Sequence, residues 1–209
     1  VTDPSTGPAA APLEAGLHTL PPGWLAAVVT HLARPVPPGA AMPAFPAGLI
    51  PRCATGLTPE RYRALFRRVG EDWLWVSRLV MDDAALAANL ADPGVEVWTL
   101  VRDGEDLALL ELDLRNPGSC EIAFLGLVPG LTGQGLGRAL MALAFARAAE
   151  RGAGRIWLHT CSLDHPGALA YYRAQGFVAF ARGVEVMPDP RFSGLIHADA
   201  APHVPLIPG

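Results

Sequence analysis

The chain has 209 residues, enough for one domain with tails, and 51% of them are hydrophobic, which supplies a core and excludes global disorder. The formal net charge is -4 with no Lys/Arg run, so the electrostatic footprint of a nucleic-acid binder is missing. Cys53, Cys120 and Cys161 are odd in number and far apart, no apolar run reaches the roughly 18 residues of a membrane span, and the N-terminus lacks the basic start and apolar stretch of a signal peptide. The expectation is a cytoplasmic protein with no disulfide framework, no bound metal and no membrane partner.

Residues 1–23, rich in Pro, Ala, Gly and Thr, read as an N-terminal tail. Trp24 to Arg34, with β-branched Val28-Val29-Thr30 at its centre, reads as a strand. Residues 35–57 hold many prolines and glycines and read as one long loop. Thr58 is the expected N-cap of a helix with Pro59 in its first turn, running to about Val69 and stopped by Gly70. Asp82 caps a second helix that ends before Pro93-Gly94, and between the two helices lies the aromatic segment Asp72-Trp73-Leu74-Trp75-Val76.

Val95–Val101, Leu107–Leu114 and Cys120–Val128 read as three strands joined by turns at Asp103-Gly104 and Asn116-Pro117-Gly118. A glycine-rich loop follows, then a helix from about Gly135 to Glu150, a strand at Arg155–Cys161, a helix at Asp164–Gln175 and a last strand at Phe177–Met187. Residues 188–209 read as a Pro-rich extension. The alternation of strand and helix in the second half implies a partly parallel sheet with helices packed on it.

The most informative stretch runs from Gly126 to Leu140, where a strand enters a loop holding Gly133, Gly135 and Gly137 and the loop opens a helix. Glycines let an anion approach the backbone, and the first N–H groups of a helix lack internal partners and carry the positive end of its dipole. Together they make a site for phosphate or pyrophosphate. A P-loop would need Gly-Lys-Ser/Thr, and a dinucleotide fingerprint would need a third glycine where Arg138 or Leu140 stands. The bland alternative is a turn that only joins strand to helix.

Val128-Pro129 followed by Gly133-Gln134-Gly135-Leu136-Gly137-Arg138-Ala139-Leu140 resembles the acetyl-CoA pyrophosphate loop of the GNAT (GCN5-related) N-acetyltransferase superfamily. Downstream, Ala168 to Phe177, with Tyr172 four residues before Gly176, resembles that family's fourth helix and its Tyr-x-x-x-Gly-Phe ending. The matched part covers about residues 95–187, the preceding helical arm also fits, and the first strand fits more loosely. Two positions depart from the family pattern. Thr132 stands where Gln or Arg is usual, and His165 stands where many members have Asn.

The resemblance implies an α/β (α+β) domain over residues 24–187, with a mixed, mostly antiparallel, twisted sheet flanked by helices. It implies that acetyl-CoA serves as cosubstrate and that an amine, on a small molecule or peptide, is acylated directly in a ternary complex. Backbone groups of Leu125, Gly126, Leu127 and Val128, with His165 and Ala168, would hold the pantetheine arm, and Thr132 to Arg138 would take the pyrophosphate. Tyr172 matches the tyrosine placed by the sulfur as general acid; packing in the core is its other reading. Tyr171 lies about 100° away on the helix, so both cannot face the sulfur.

Glu121 and Glu111 are the candidate bases. Glu121 matches a glutamate that acts as base in some relatives, or is an exposed strand-end carboxylate. Glu111, flanked by leucines, gains basicity if buried, or points outward. His159 could be a base or a substrate ligand, or a satisfied histidine. Trp73 and Trp75, with Glu71, Asp72, Asp82 and Asp83 nearby, could receive a cationic amine or could pack the helical arm. Cys161, Asp164 and His165 are too close in sequence to be a nucleophile with its base across a cleft. The rival classes are a non-catalytic acyl-CoA-binding regulatory module and a different phosphate-ligand binder. Apolar tails and the Pro-rich loop could join a homodimer.

Overall fold

The structure, a computed structural model, describes residues 13–208. Most of the expected N-terminal tail, residues 1–12, lies outside the described residues, and 13–23 are irregular and mostly exposed. The elements are β1 (Trp24–Pro35), β2 (Ile50–Cys53), α1 (Pro59–Gly70), α2 (Asp83–Ala91), β3 (Val95–Arg102), β4 (Glu105–Asp106), β5 (Ala108–Asp113), β6 (Ser119–Leu127), α3 (Leu136–Glu150), β7 (Arg155–Cys161), α4 (Ala168–Ala174) and β8 (Val178–Pro188). The strands form one sheet in the order β2-β3-β5-β6-β7-β1-β8, with β4 paired to β3. All pairings among the described residues are antiparallel except that of β6 with β7. This is the mixed, mostly antiparallel sheet flanked by helices that the sequence implies.

Local chemistry explains most boundaries. The Thr58 hydroxyl accepts from the Arg61 N–H, and the Asp82 carboxylate accepts from the Ala85 N–H, so α1 and α2 start at their expected caps. Asp103 and Gly104 both have positive φ, the requirement of a tight hairpin turn. The expected loop at 35–57 instead contains β2, antiparallel to β3 with Ile50 opposite Val101. Pro51 obscures this strand in the sequence, but the sheet edge tolerates a residue without an N–H. The last helix begins at Ala168 rather than Asp164. The side chains of Asp164 and His165 are bonded to Thr160, Cys161 and Gly167, which holds the chain in a turn.

The first strand does not join its sequence neighbours. It lies between β7 and β8 and pairs with both, Thr30 standing opposite Thr160 and Arg182. One core, built on Leu100, Leu110, Leu112, Ile122 and Leu158, packs under α3. The other lies on the opposite face, where Tyr62, Phe66 and Val69 of α1 and Leu86 of α2 cover Leu109 and Phe124. The C-terminal extension closes this second core with Ile196, Ala200 and Ala201. No helix among the described residues is long and apolar enough to cross a membrane.

Arg191 holds the extension in place. It pairs with Asp189 through Nε and Nη2 at 2.9 and 2.6 Å, and its Nη1 donates to the carbonyls of Ala200 and Val204 at 3.2 and 2.9 Å, all in a buried setting. Removing it would strand the Asp189 carboxylate and the carbonyls of Ala200 and Val204. Arg191→Ala is expected to lower unfolding stability by about 3 kcal/mol, read from urea denaturation.

Candidate active site

β6 and β7 pair only over Ser119–Glu121 with Arg155–Trp157, and beyond that the two strands part. A bulge marks the place. Leu112 lies opposite Ile122 and Glu111 opposite Phe124, so Ala123 is an extra residue on β6. Bulges bend and twist a strand, and this one also flips its faces. Cys120 and Ile122 belong to the α3 core, whereas Phe124, two residues further on, lies in the α1 core. Past the bulge, Leu125 and Leu127 return to the α3 side and Gly126 faces α1. β6 is still satisfied by β5, and β7 by β1, so the edges that face each other across the gap have no strand partner.

The gap leads to the glycine-rich loop. Gly130, Gly133 and Gly135 all have positive φ, which explains three glycines by backbone shape. Gly137 is helical, and a Cβ there would meet the Tyr171 hydroxyl at an ordinary 3.7 Å. Neither strain nor crowding requires that glycine; its effect is to leave the first turn of α3 bare. The N-cap, Gly135, has no side chain to satisfy that turn. Thr132, Gly133, Gln134, Gly135 and Arg138 are exposed around it, Val128 and Leu136 are buried anchors, and the Gln134 amide closes the loop onto the Gly130 carbonyl at 3.3 Å. The arrangement can receive a phosphate-sized anion, because bare N–H groups, a helix dipole and the Arg138 cation lie together there.

The two tyrosines of α4 divide their roles. Tyr171 donates to the Gly137 carbonyl at 2.8 Å, tying α4 to the start of α3. Burial pushes its pKa up to about 12. The Tyr172 hydroxyl meets no hydrogen-bond partner among the described residues, while its ring packs on Tyr171 and Phe177. Burial, with the Asp164 charge adding to it, raises its pKa, so it stays protonated. Ala168 opens α4, and His165 precedes it, exposed, accepting the Gly167 N–H on Nδ1 at 3.0 Å.

On the α1 face the two candidate bases differ. Glu111 is buried, and its carboxylate accepts from the Tyr62 hydroxyl and, at 2.6 Å, from Arg78. Both oxygens are taken. Glu121 pairs with no arginine among the described residues, and burial, outweighing the more distant Arg78 charge, raises its pKa to about 7. His159, two residues past the last pair of the β6–β7 ladder, lies 3.9 Å from it, too far for a hydrogen bond. Burial lowers the His159 pKa to about 4, so the imidazole is neutral. His31 of β1 stacks near Trp157 and His159. The structure brings Glu121 and His159 together and leaves Glu111 in a separate network with Arg78.

The tryptophans also part company. Trp75 is seated between Phe66 and Phe124, and its Nε1 donates to Asp164 Oδ1 at 3.0 Å. Trp73 points elsewhere, against His165 and His203. The nearby acids have local work: Asp82 caps α2, Asp83 pairs with Arg63, and Glu71 accepts the His197 N–H. Asp164, set aside in the sequence together with Cys161 and His165, holds the end of β7 in place. Besides Trp75, it accepts from Thr160 Oγ1 at 2.7 Å and the Cys161 N–H at 2.9 Å. Burial pushes the Cys161 thiol up to about 11, which makes it a poor nucleophile.

The chain matches the Acetyltransferase (GNAT) family over residues 61–177. Among solved structures it is similar to a GCN5-related N-acetyltransferase from Sphaerobacter thermophilus, with 19% identity, 79% of this chain and 53% of that one covered, and a TM-score of 0.60. It is also similar to a GCN5-related N-acetyltransferase from Kribbella flavida, with 23% identity, 82% and 63% coverage, and a TM-score of 0.50. A GNAT family acetyltransferase from Elizabethkingia anophelis, solved with acetyl-CoA bound, matches with 16% identity, 65% and 80% coverage, and a TM-score of 0.50. At these identities the likeness is one of fold. The chain spans between half and two-thirds of the length of the first two. No protein of curated function matches it.

Glu121 and His159 pull stability in opposite directions. Glu121 ionises near 4.5 in the unfolded chain and near 7 in the folded protein, so its contribution is full below 4.5 and is lost as pH rises through 7. His159 takes a proton near 6.5 unfolded and near 4 folded, so its contribution is full above 6.5 and is lost as pH falls through 4. Each is worth about 3 kcal/mol. Urea unfolding at pH 7.5 and 4.5 is expected to show that, relative to the wild type, Glu121→Gln loses stability on acidification and His159→Asn gains it.

Proposed function

As the chain belongs to the GNAT acetyltransferase family, we propose that it transfers the acetyl group of acetyl-CoA directly to an amine on a small molecule or peptide. The observation that carries this reading is the coincidence, in one gap, of unpaired strand edges, a bare helix N-terminus and a carboxyl with a pKa of about 7. The residues fit the cosubstrate. Leu125 to Val128, with His165 and Ala168, would hold the pantetheine amides, and Thr132 to Arg138 would hold the pyrophosphate. When bound, acetyl-CoA supplies a two-carbon acyl group on a thiol leaving group.

Glu121 accepts the proton of the acceptor amine, because its pKa lets it hold or release a proton near neutrality. Backbone N–H groups of the unpaired β6 edge stabilise charge on the carbonyl oxygen. Tyr172, protonated and unengaged, gives the departing thiolate its proton. Glu111 fixes Arg78 and Tyr62 beneath the site, with both of its oxygens engaged. Neutral His159 and Trp73 border the acceptor side. Three free cysteines suit a reducing cytoplasm. A homodimer would find its apolar surface where Trp24, Val28, Val184 and Val186 are exposed on β1 and β8.

The test is the pH dependence of turnover with a responsive amine. The wild type should gain kcat/KM as pH rises through about 7, and Glu121→Gln should lose that limb and about 100-fold or more in rate while still binding CoA. CoA binding with no turnover of any amine would favour the regulatory module instead.

A further inference from the structure

Trp75 occupies a position that three independent features hold open for it. The chain leaves α1 at Gly70, makes one turn of 3-10 helix at Glu71–Trp73, and reverses at Leu74 in a left-handed conformation. The reversal folds Trp75 back over Gly70, where its N–H donates to the Gly70 carbonyl at 3.1 Å. A Cβ on Gly70 would stand 2.4–2.7 Å from the indole and its Cβ, so only glycine fits beneath it. A Cβ on Gly126 would stand 3.2 Å from the indole and 2.3 Å from Val69 Cγ1. The helical arm is pressed onto β6 at the residue where the gap lies open.

From Gly126 the indole reaches across to the end of β7. Its Nε1–H is bound to Asp164, and Asp164 is in turn fixed by Thr160 and the Cys161 N–H. Phe66 and Phe124 pack on its ring at 5.7 and 5.1 Å. The side chain thus bridges the two strands past their last pair, on the α1 face. It is braced by close-packed rings and a hydrogen bond, and yields little room.

Resting on the acetyltransferase reading above, we infer that Trp75 determines acyl-chain length. An acyl group that enters the gap from the α3 side extends toward the α1 face and meets the indole. A two-carbon chain ends short of it, and four carbons require the indole to move out of a seat that glycines, rings and Asp164 all define. The acceptor amine then approaches beside the indole, from the Glu121 and His159 side. Trp75 is a specificity-determining wall in this arrangement, rather than part of the amine-binding surface.

The experiment compares CoA, acetyl-CoA, propanoyl-CoA, butanoyl-CoA and hexanoyl-CoA on the wild type, Trp75→Phe and Trp75→Leu, by thermal shift and by thiol release with one amine. The wild type should be stabilised by CoA and acetyl-CoA more than by butanoyl-CoA, and should prefer acetyl over butanoyl by roughly 100-fold in kcat/KM. Trp75→Leu should raise the butanoyl-CoA shift and cut that preference at least about 10-fold, with Trp75→Phe between the two. Wild-type binding and use of butanoyl-CoA equal to those of acetyl-CoA would overturn the inference even if both variants failed to fold. A length profile unchanged in folded Trp75→Leu would overturn it too. If CoA itself gives no shift, the acetyltransferase reading fails along with it, so the two failures are told apart.

Discussion

A strand edge without a neighbour must find another hydrogen-bond partner, and the architecture of this protein is organised around two such edges that face each other. β6 and β7 are the central strands and the parallel pair of the sheet, yet they share only three residue pairs. Their outer edges are satisfied by β5 and β1. Their inner edges, beyond Glu121 and Trp157, are left to solvent or to a ligand with amides of its own. A slot in the middle of a sheet is costly to keep, and the surrounding elements are arranged to keep it.

The Ala123 bulge turns β6 away immediately after its last pair with β7. It also moves Phe124 to the α1 face, where that ring meets Phe66 and Trp75 at 4.8 and 5.1 Å. Trp75 and Asp164 then span the opening and hold its width. On the other face, Tyr171 fastens α4 to the first turn of α3, so the bare end of that helix and the helix that carries Tyr172 are tied together. Glu121 sits at the closed end of the slot, where burial, with the Asp113 charge adding to it, outweighs the pull of Arg78 and raises its pKa. The unpaired edges, the seat of the proposed acyl wall and the raised pKa of Glu121 all lie at this parting of strands.

Much of this was legible in the residues. Caps at Thr58 and Asp82, the Asp103-Gly104 turn and the glycine loop before α3 each carry local chemistry that needs no tertiary context. What escaped was non-local. β2 is a strand because β3 offers it an edge, and Pro51 argues against it locally. β1 carries a strand pattern, but nothing in that pattern says that it will lie between β7 and β8. The difference between Glu111 and Glu121 depends on Arg78 and Tyr62, which are distant in sequence. Gly70 and Gly126 were the overlooked signals, since neither has positive φ and both exist to admit the arm and its tryptophan. The C-terminal extension, Pro-rich and unpatterned, became part of the second core through a single buried arginine.

The central claim is that the slot and the α3 N-terminus together accept CoA. A thermal-shift titration with CoA, acetyl-CoA, ATP and NADH in parallel tests it most directly. At about 100 times its dissociation constant a ligand adds about 2.7 kcal/mol, which for a chain of this size raises Tm by roughly 5–10 °C. The account predicts that shift for CoA and acetyl-CoA and none for ATP or NADH. No shift with either CoA form at millimolar concentration, or an equal shift with ATP, would contradict it.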